Sequence, residues 1–253
     1  LTDTARRHGQ LYAELNAAWA IAKKDIAIYY FKPNIIVSGA LFPLFMFLAF
    51  AVGKPAGPSV MIPGLIAITI LFSSSSIEPV SIPIERRMKT FDRLVSAPVS
   101  LHAIVLGESL SGFFYSICIA FVPLVAGLLI FGTSPVSIVP LVSGIILTSF
   151  CFATMGALFA AYPTESPGDI MSMLNMVRLP LIFISGVFIP LESIPSIGQV
   201  AGFFSPLTYG NDLIRAAYLG DTHFNPLIDI AMLCTFILIF QLIANRLYNK
   251  FNE

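Results

Sequence analysis

Six apolar runs, each near the length needed to cross a bilayer, limit what this chain can fold into. They lie at about Ile35–Val52, Val60–Ile84, Ala103–Phe131, Val136–Tyr162, Ile170–Ile189 and Asn225–Arg246. A helix crossing the hydrocarbon needs about 20 mostly apolar residues. Of the 253 residues, 57% are hydrophobic and only 11% charged, well above the roughly 45–50% apolar content of soluble domains. The sequence predicts an all-α polytopic membrane protein, a single domain over 1–253 with six transmembrane helices. Pro43, Pro63, Pro123 and Pro180 fall within or near these runs, where neighbouring helices absorb the kinks.

Lysine and arginine set the orientation. Arg6, Arg7, Lys23, Lys24 and Lys32 precede the first run, Arg86, Arg87, Lys89 and Arg93 follow the second, and Arg246 and Lys250 end the chain. The opposite side carries only Lys54 and Arg215. Positive charge stays inside, so both termini and the stretch Glu85–Ser100 are expected in the cytoplasm of a protein in the cell membrane.

Two flanking segments are not predicted to cross. Over 10–31, Leu11, Leu15, Trp19, Ala22, Ile26 and Tyr29 recur at helical spacing, with Glu14, Lys23, Lys24 and Asp25 elsewhere on the wheel. This reads as an amphipathic helix in the plane of the interface, or as an ordinary helix packed on its own chain. Over 190–220, Ser193 before Pro195 and Ser205 before Pro206 read as helix starts, and Gly220 after Leu219 as a stop. Two short apolar helices there form either an extracellular re-entrant hairpin between spans five and six or a small outer cap.

The chain carries no catalytic pattern. His8, His102 and His223 stand apart from any acid or cysteine at ligand spacing. Cys118, Cys151 and Cys234 sit singly inside apolar runs, which indicates neither a disulfide framework nor zinc. The polar first residues differ from a cleavable signal peptide. Equal numbers of acidic and basic residues, 14 each, argue against nucleic acid as a partner. There is no GxSxG elbow. The only lysine followed by Thr or Ser is Lys89-Thr90, and no glycine loop precedes it. Any ATP that drives this protein is therefore expected on another polypeptide.

The charged block between the second and third runs is where contact with such a partner is expected. Met88, Phe91 and Leu94 or Val95 recur at helical spacing and form one apolar stripe. Glu85, Arg86, Lys89, Asp92 and Arg93 fill the remainder, and Pro98 ends the segment. The stripe suits a docking surface; alternatively, the loop only fixes orientation by its charge.

The order of parts resembles the permease subunits of ATP-binding-cassette exporters of the drug and polysaccharide type, over almost the whole chain. Two segments carry the likeness. One is Glu-Arg-x-x-x-Thr-x-Asp-Arg-Leu-x-x-x-Pro from Glu85 to Pro98. The other runs from Ser185 through Phe188, Pro190, Glu192, Pro206, Tyr209 and Asp212 to Arg215. The resemblance implies that 85–98 is a coupling helix seated on an ATPase subunit, with Glu85, Arg86, Met88, Lys89, Thr90, Phe91, Asp92, Arg93 and Leu94 as coupling residues. It places the second segment in an outer hairpin near the exit. It also implies a cytosolic ABC ATPase holding ATP and Mg, no cofactor on this chain, and a homodimer or close paralogue heterodimer. The chain departs from the family pattern at Arg87, where an acid is usual, and at Lys89, where glycine is usual.

Glu78 and Arg178 lie inside spans, where a charge is costly by roughly 2.5–3.5 kcal/mol. They are expected to pair and hold the cytosolic side closed, to snorkel separately, or, for Arg178, to attract an anionic substrate. Ser73-Ser74-Ser75-Ser76 with Asn175 either wets a pathway or packs helices closely. The expected function is export of an amphipathic, lipid-like or drug-like substrate, with polysaccharide or glycolipid as the other cargo class. An energy-independent channel or secondary carrier is the alternative from another class, although no internal repeat supports it.

Overall fold

The computed structural model describes residues 2–51, 57–189, 191–193 and 195–252, so Lys54 and Pro190, like the side chain of Glu192, lie outside the described residues. The chain is helical almost throughout. The elements are α1 (Thr2–Tyr29), α2 (Pro33–Ile36), a π-helical turn (Val37–Leu41), α3 (Phe42–Ala51), α4 (Pro58–Ser74), α5 (Glu78–Arg87), α6 (Thr90–Val95), α7 (Leu101–Phe131), α8 (Ile138–Ala160), α9 (Pro167–Ile184), α10 (Ser196–Phe203), α11 (Pro206–Leu219) and α12 (Pro226–Asn252).

Five helical stretches among the described residues are long and apolar enough to cross a membrane: Ser59–Arg87, Leu101–Phe131, Ile138–Ala160, Pro167–Ile184 and Pro226–Phe251. The first apolar run differs from the others. In place of one helix over Ile35–Val52, the chain forms α2, the π turn and α3. Pro43 has no N–H for the Gly39 carbonyl, and its ring crowds that turn. The wider turn just before it, closed by the Phe42 N–H on the Val37 carbonyl, relieves the conflict.

The second run is central. Its most apolar window is 89% buried, against 22% for that of α9 and 17% for that of α12. Ile66, Ile68, Ile70, Leu71 and Phe72 of α4 lie in the main core with Phe152 of α8, Leu174 of α9, and Leu207 and Ile214 of α11. Around this axis, α7 and α8 pack on α4, α12 on α8, and α1 along α7. A Cβ at Gly107 of α7 would lie 2.6 Å from the Ala18 carbonyl oxygen of α1, so only glycine lets these two helices approach so closely.

The connection from α5 to α6 turns sharply at Lys89. Its φ of 57° makes it the only left-handed non-glycine residue among those described. That geometry costs a side-chain-bearing residue about 1–2 kcal/mol and accounts for the usual glycine. Its ion pair with Glu165, 3.8 Å long and mostly exposed, contributes little. Lys89→Gly is expected to stabilise the chain by about 1 kcal/mol after glycine's larger unfolded-state entropy is allowed for. A raised unfolding midpoint checks this; an unchanged or lower one counts against it.

On the far side, α11 has its predicted ends. Ser205 and Pro206 start it, and Gly220, at φ 72°, stops it by donating its N–H to the Ala216 carbonyl. Nearly all of α11 is buried against α8, α4 and α12, so it is a packed member of the bundle. The shorter α10 leaves Ile197 and Val200 exposed.

Candidate functional site: a broken helix and the polar clusters beside it

The second span is interrupted between Ser74 and Glu78, and Pro79 explains why. Proline has no N–H to offer the carbonyl four residues earlier, which here is that of Ser75. The Arg178 guanidinium of α9 takes this orphaned carbonyl through Nη2. Nη2 also bonds Ser75 Oγ at 2.7 Å and Ser76 Oγ at 3.1 Å, while Nε bonds Ser75 Oγ at 3.1 Å. Nη1 reaches Asn175 Oδ1 at 3.3 Å, and the guanidinium lies over the Phe72 ring. A cation thus sits at the carbonyl end of α4, the end where the helix dipole favours it. The four serines turn back on their own helix: Ser73 and Ser74 donate to the Thr69 and Ile70 carbonyls at 2.6 Å, and Ser75 and Ser76 to those of Leu71 and Phe72. All four are buried, and their hydroxyls line no wetted path.

Glu78 lies on the other side of the break, as the first residue of α5. It is fully buried, and neither carboxylate oxygen has a hydrogen-bond partner. Glycines on two neighbouring helices make room for it. A Cβ at Gly156 of α8 would lie 2.6 Å from Glu78 Oε2, and one at Gly112 of α7 would collide with Glu78 Oε1 and the Ser74 carbonyl. Glu78 and Arg178 form no ion pair within 4 Å. The two charges serve opposite ends of one helix break, and neither snorkels.

A second polar cluster bolts α1 to α5 and α7. Lys24 Nζ lies 3.1 Å from Asp25 and 3.5 Å from Glu108 of α7, and bonds Glu85 of α5. Tyr29 donates to Glu85 at 3.4 Å and Ser81 to Glu108 at 3.2 Å. Asp25 and Glu108 are essentially inaccessible. Burial pulls the Lys24 amine downward, but the Glu108, Asp25 and Glu85 carboxylates outweigh it and hold the amine above its ordinary range. Burial and the neighbouring Glu108 push the Asp25 carboxyl well above its usual value, against the opposing pull of Lys24. Lys24 and Asp25, which lie off the apolar stripe of α1, both face protein, while Tyr12, Leu15 and Trp19 are exposed.

The charged block divides in two. Glu85 is buried in the Lys24 cluster. Arg86 donates to the Tyr162 carbonyl and, at 3.3 Å, to that of Ala161, and its guanidinium lies over the Phe91 ring. Thr90 Oγ1 donates to the Glu85 carbonyl at 3.2 Å. The predicted stripe is corrected at Phe91, which is 1% exposed and packs with Ile82, Ile104 and Tyr248. The left-handed turn at Lys89 rotates α6 relative to α5, so Met88 and Phe91 part company: Met88 is 65% exposed. Leu94 is half-buried. Arg87, Met88, Lys89, Asp92 and Arg93 remain as an outward surface.

Around α10 and α11, Asp212 accepts the backbone N–H groups of His223 and Phe224 at 2.9 and 2.8 Å. Tyr209 donates to the Phe203 carbonyl at 2.7 Å. Phe188 packs on the main core, Pro206 is buried, and Arg215 is half-buried at a small recess shared with Asp212. These residues tie α10, α11 and α12 together, and they do not meet Glu78, Asn175 or Arg178 in one site.

Residues 16–219 match the family described as ABC-2 type transporter. This chain belongs to that family. The match extends from α1 to α11 and includes both polar clusters. The chain is similar to Nodulation protein J of Rhizobium leguminosarum bv. viciae, with 29% identity over 106 residues, covering 42% of this chain and 40% of that protein. It is also similar to the bv. trifolii counterpart, at 32% over 99 residues, 38% of this chain and 36% of the relative. The aligned part thus spans about two fifths of each nodulation protein. The Inner membrane transport permease YadH of Escherichia coli K12 is 24% identical over 190 residues, 75% of this chain and 74% of its own length. The protein is accordingly a multi-pass membrane member of the ABC-2 type transporter family, with five helical stretches among the described residues long and apolar enough to cross a bilayer.

Two residues of these clusters escape a reading by pattern. Pro79 signals the break only when it is counted four residues back to Ser75. Glu108 is visible as a lone acid in the third apolar run, but its partner Lys24 is 84 positions away. Pairings of that separation leave no local trace.

Proposed function

We propose that this chain is the membrane subunit of an ATP-driven exporter, with ATP and Mg held by a separate cytosolic ATPase subunit. In this reading Pro33–Ala51 supplies a sixth crossing, α1 lies along the cytosolic interface, and α10–α11 form the outer hairpin. Both termini are cytoplasmic, and two copies enclose the path. The observation carrying the proposal is the division of the charged block. Its inner residues are bolted to α1, α8 and α12, while Arg87–Arg93 presents an exposed methionine among mixed charges. A surface held that firmly from behind transmits a push to the bundle. The cargo is an amphipathic, lipid-like molecule, a choice supported by the exposed apolar face of α9 (Met173, Met176, Val177 and Phe183).

Phe91 is a poor probe of docking, because replacing it disturbs the core. Met88→Glu is the better one, since the side chain is mostly exposed. Capture of the ATPase subunit and ATP turnover of the complex are expected to fall at least tenfold, with the permease's unfolding midpoint unchanged. Undiminished capture and turnover would refute the docking surface.

A further inference from the structure

A recess of about 500 Å3 lies between the end of α1 and the turn from α5 into α6. That volume is within the range of small-ligand sites. Ile84, Leu94 and Ala97 give it an apolar wall, and Ile28 an exposed apolar lip. Four charged residues also line it: Lys24, Lys32, Glu85 and Arg93. Lys24 and Glu85 neutralise each other. Lys32 and Arg93 have no such partner, since among the described residues neither forms an ion pair within 4 Å. The Lys32 amine is held over the Tyr29 ring, 4.4 Å from its centre, and Arg93 is exposed. Wall and charge together select the occupant. Free phosphate would answer the two cations and leave the apolar wall wet. A neutral lipid would cover the wall and leave both cations uncompensated. A molecule with an anionic head on an apolar tail answers both. The chain beyond the recess continues the path of such a tail: Phe31 is 87% exposed, and Ile36, Val37 and Leu41 after it are exposed too. A lysine at that junction suits headgroup depth, with its stem in the apolar layer and its amine in the polar one.

We propose that this recess binds the headgroup of one anionic phospholipid of the surrounding membrane, with Lys32 and Arg93 on its phosphate and the acyl chains leaving past Ile28 and Phe31. This rests on the reading that Pro33–Ala51 crosses the bilayer. Basic residues beside a membrane surface draw anionic lipids by charge, and a guanidinium adds the paired donors that a phosphate oxygen accepts. The two cations come from different elements, Lys32 just after α1 and Arg93 within α6. One headgroup between them fastens the end of α1 to α6. Met88 lines the same recess, so the lipid backs the surface offered to the ATPase.

The test adds palmitoyl-oleoyl phosphatidylglycerol to the delipidated permease in detergent, with phosphatidylcholine of the same chains as neutral competitor, and counts retained lipids by native mass spectrometry. One phosphatidylglycerol per chain is expected to stay under conditions that strip phosphatidylcholine. Lys32→Gln with Arg93→Gln is expected to weaken that retention at least tenfold, with the unfolding midpoint in lipid-free detergent unchanged. Ala97→Trp, which fills the recess and keeps both cations, should weaken it as much. If Ala97→Trp does not fold, Ala97→Leu takes its place. Undiminished retention in the charge variant or in the filled recess would overturn the proposal. So would equal retention of phosphatidylcholine by the native chain, or displacement of phosphatidylglycerol by an equal concentration of inorganic phosphate, the mark of a plain anion site. A nitroxide at Phe31→Cys, in a chain whose three cysteines are replaced by alanine, reports its depth in bilayer discs. A label lying in water brings down the crossing at Pro33–Ala51 on its own, and the retention measurements still decide the recess.

Discussion

Lys24→Met is expected to destabilise the permease by about 3–5 kcal/mol, the range for leaving buried charge without its partner. The single amine stands against Asp25, Glu85 and Glu108, all nearly inaccessible. The loss should depend on pH. A group whose pKa is raised by folding contributes stability that is complete below its unfolded value and vanishes as pH climbs through its folded value. For Lys24 that window lies above 10.5, so its own contribution is constant near neutrality. For Asp25 the decline begins near 3.8 and extends well above it. Removing Lys24 takes away the cation that opposes the rise, so the variant should be more destabilised at pH 8 than at pH 5. Glu85→Gln in the same chain should restore part of the loss. Unfolding midpoints at both pH values check this, and a pH-independent difference would show that the cluster is not electrostatic in origin.

Gly156→Ala is expected to cost about 2–3 kcal/mol, in the range of overpacked cores, and to lower the yield of folded permease. The added carbon would lie 2.6 Å from Glu78 Oε2 and 2.9 Å from Ser75 Cα. One of these neighbours is main chain at the helix break and cannot turn aside. Shortening the other, by Glu78→Ala, removes one of the two clashes and should recover part of the cost. A double-mutant cycle read from unfolding midpoints measures that coupling. Additivity of the two changes would mean that the glycine does not make room for the carboxylate.

Much of this architecture is legible from local pattern. The limits of α11 follow from Ser205-Pro206 and Leu219-Gly220, and α7, α8 and α12 follow from the length of their apolar runs. Glu78 and Arg178 stand out in the sequence as charges at depth. Their shared purpose does not, because it depends on a carbonyl that Pro79 leaves free and on two glycines from other helices. The surface of the charged block is legible as composition but not as geometry. One left-handed residue, Lys89, redirects the helix and turns Phe91 inward. Periodicity carries a face along an unbroken helix only.

The bond between Lys24 and Glu108 also imposes an order on synthesis. The amine leaves the ribosome 84 residues before the carboxylate that it neutralises, an interval of roughly 4–17 s at about 5–20 residues per second. During that time α1 has no seat, because the groove that receives it is built around Gly107 of α7. Docking of α1 therefore waits for α7, and its lysine then neutralises the acid that α7 carries within an apolar run.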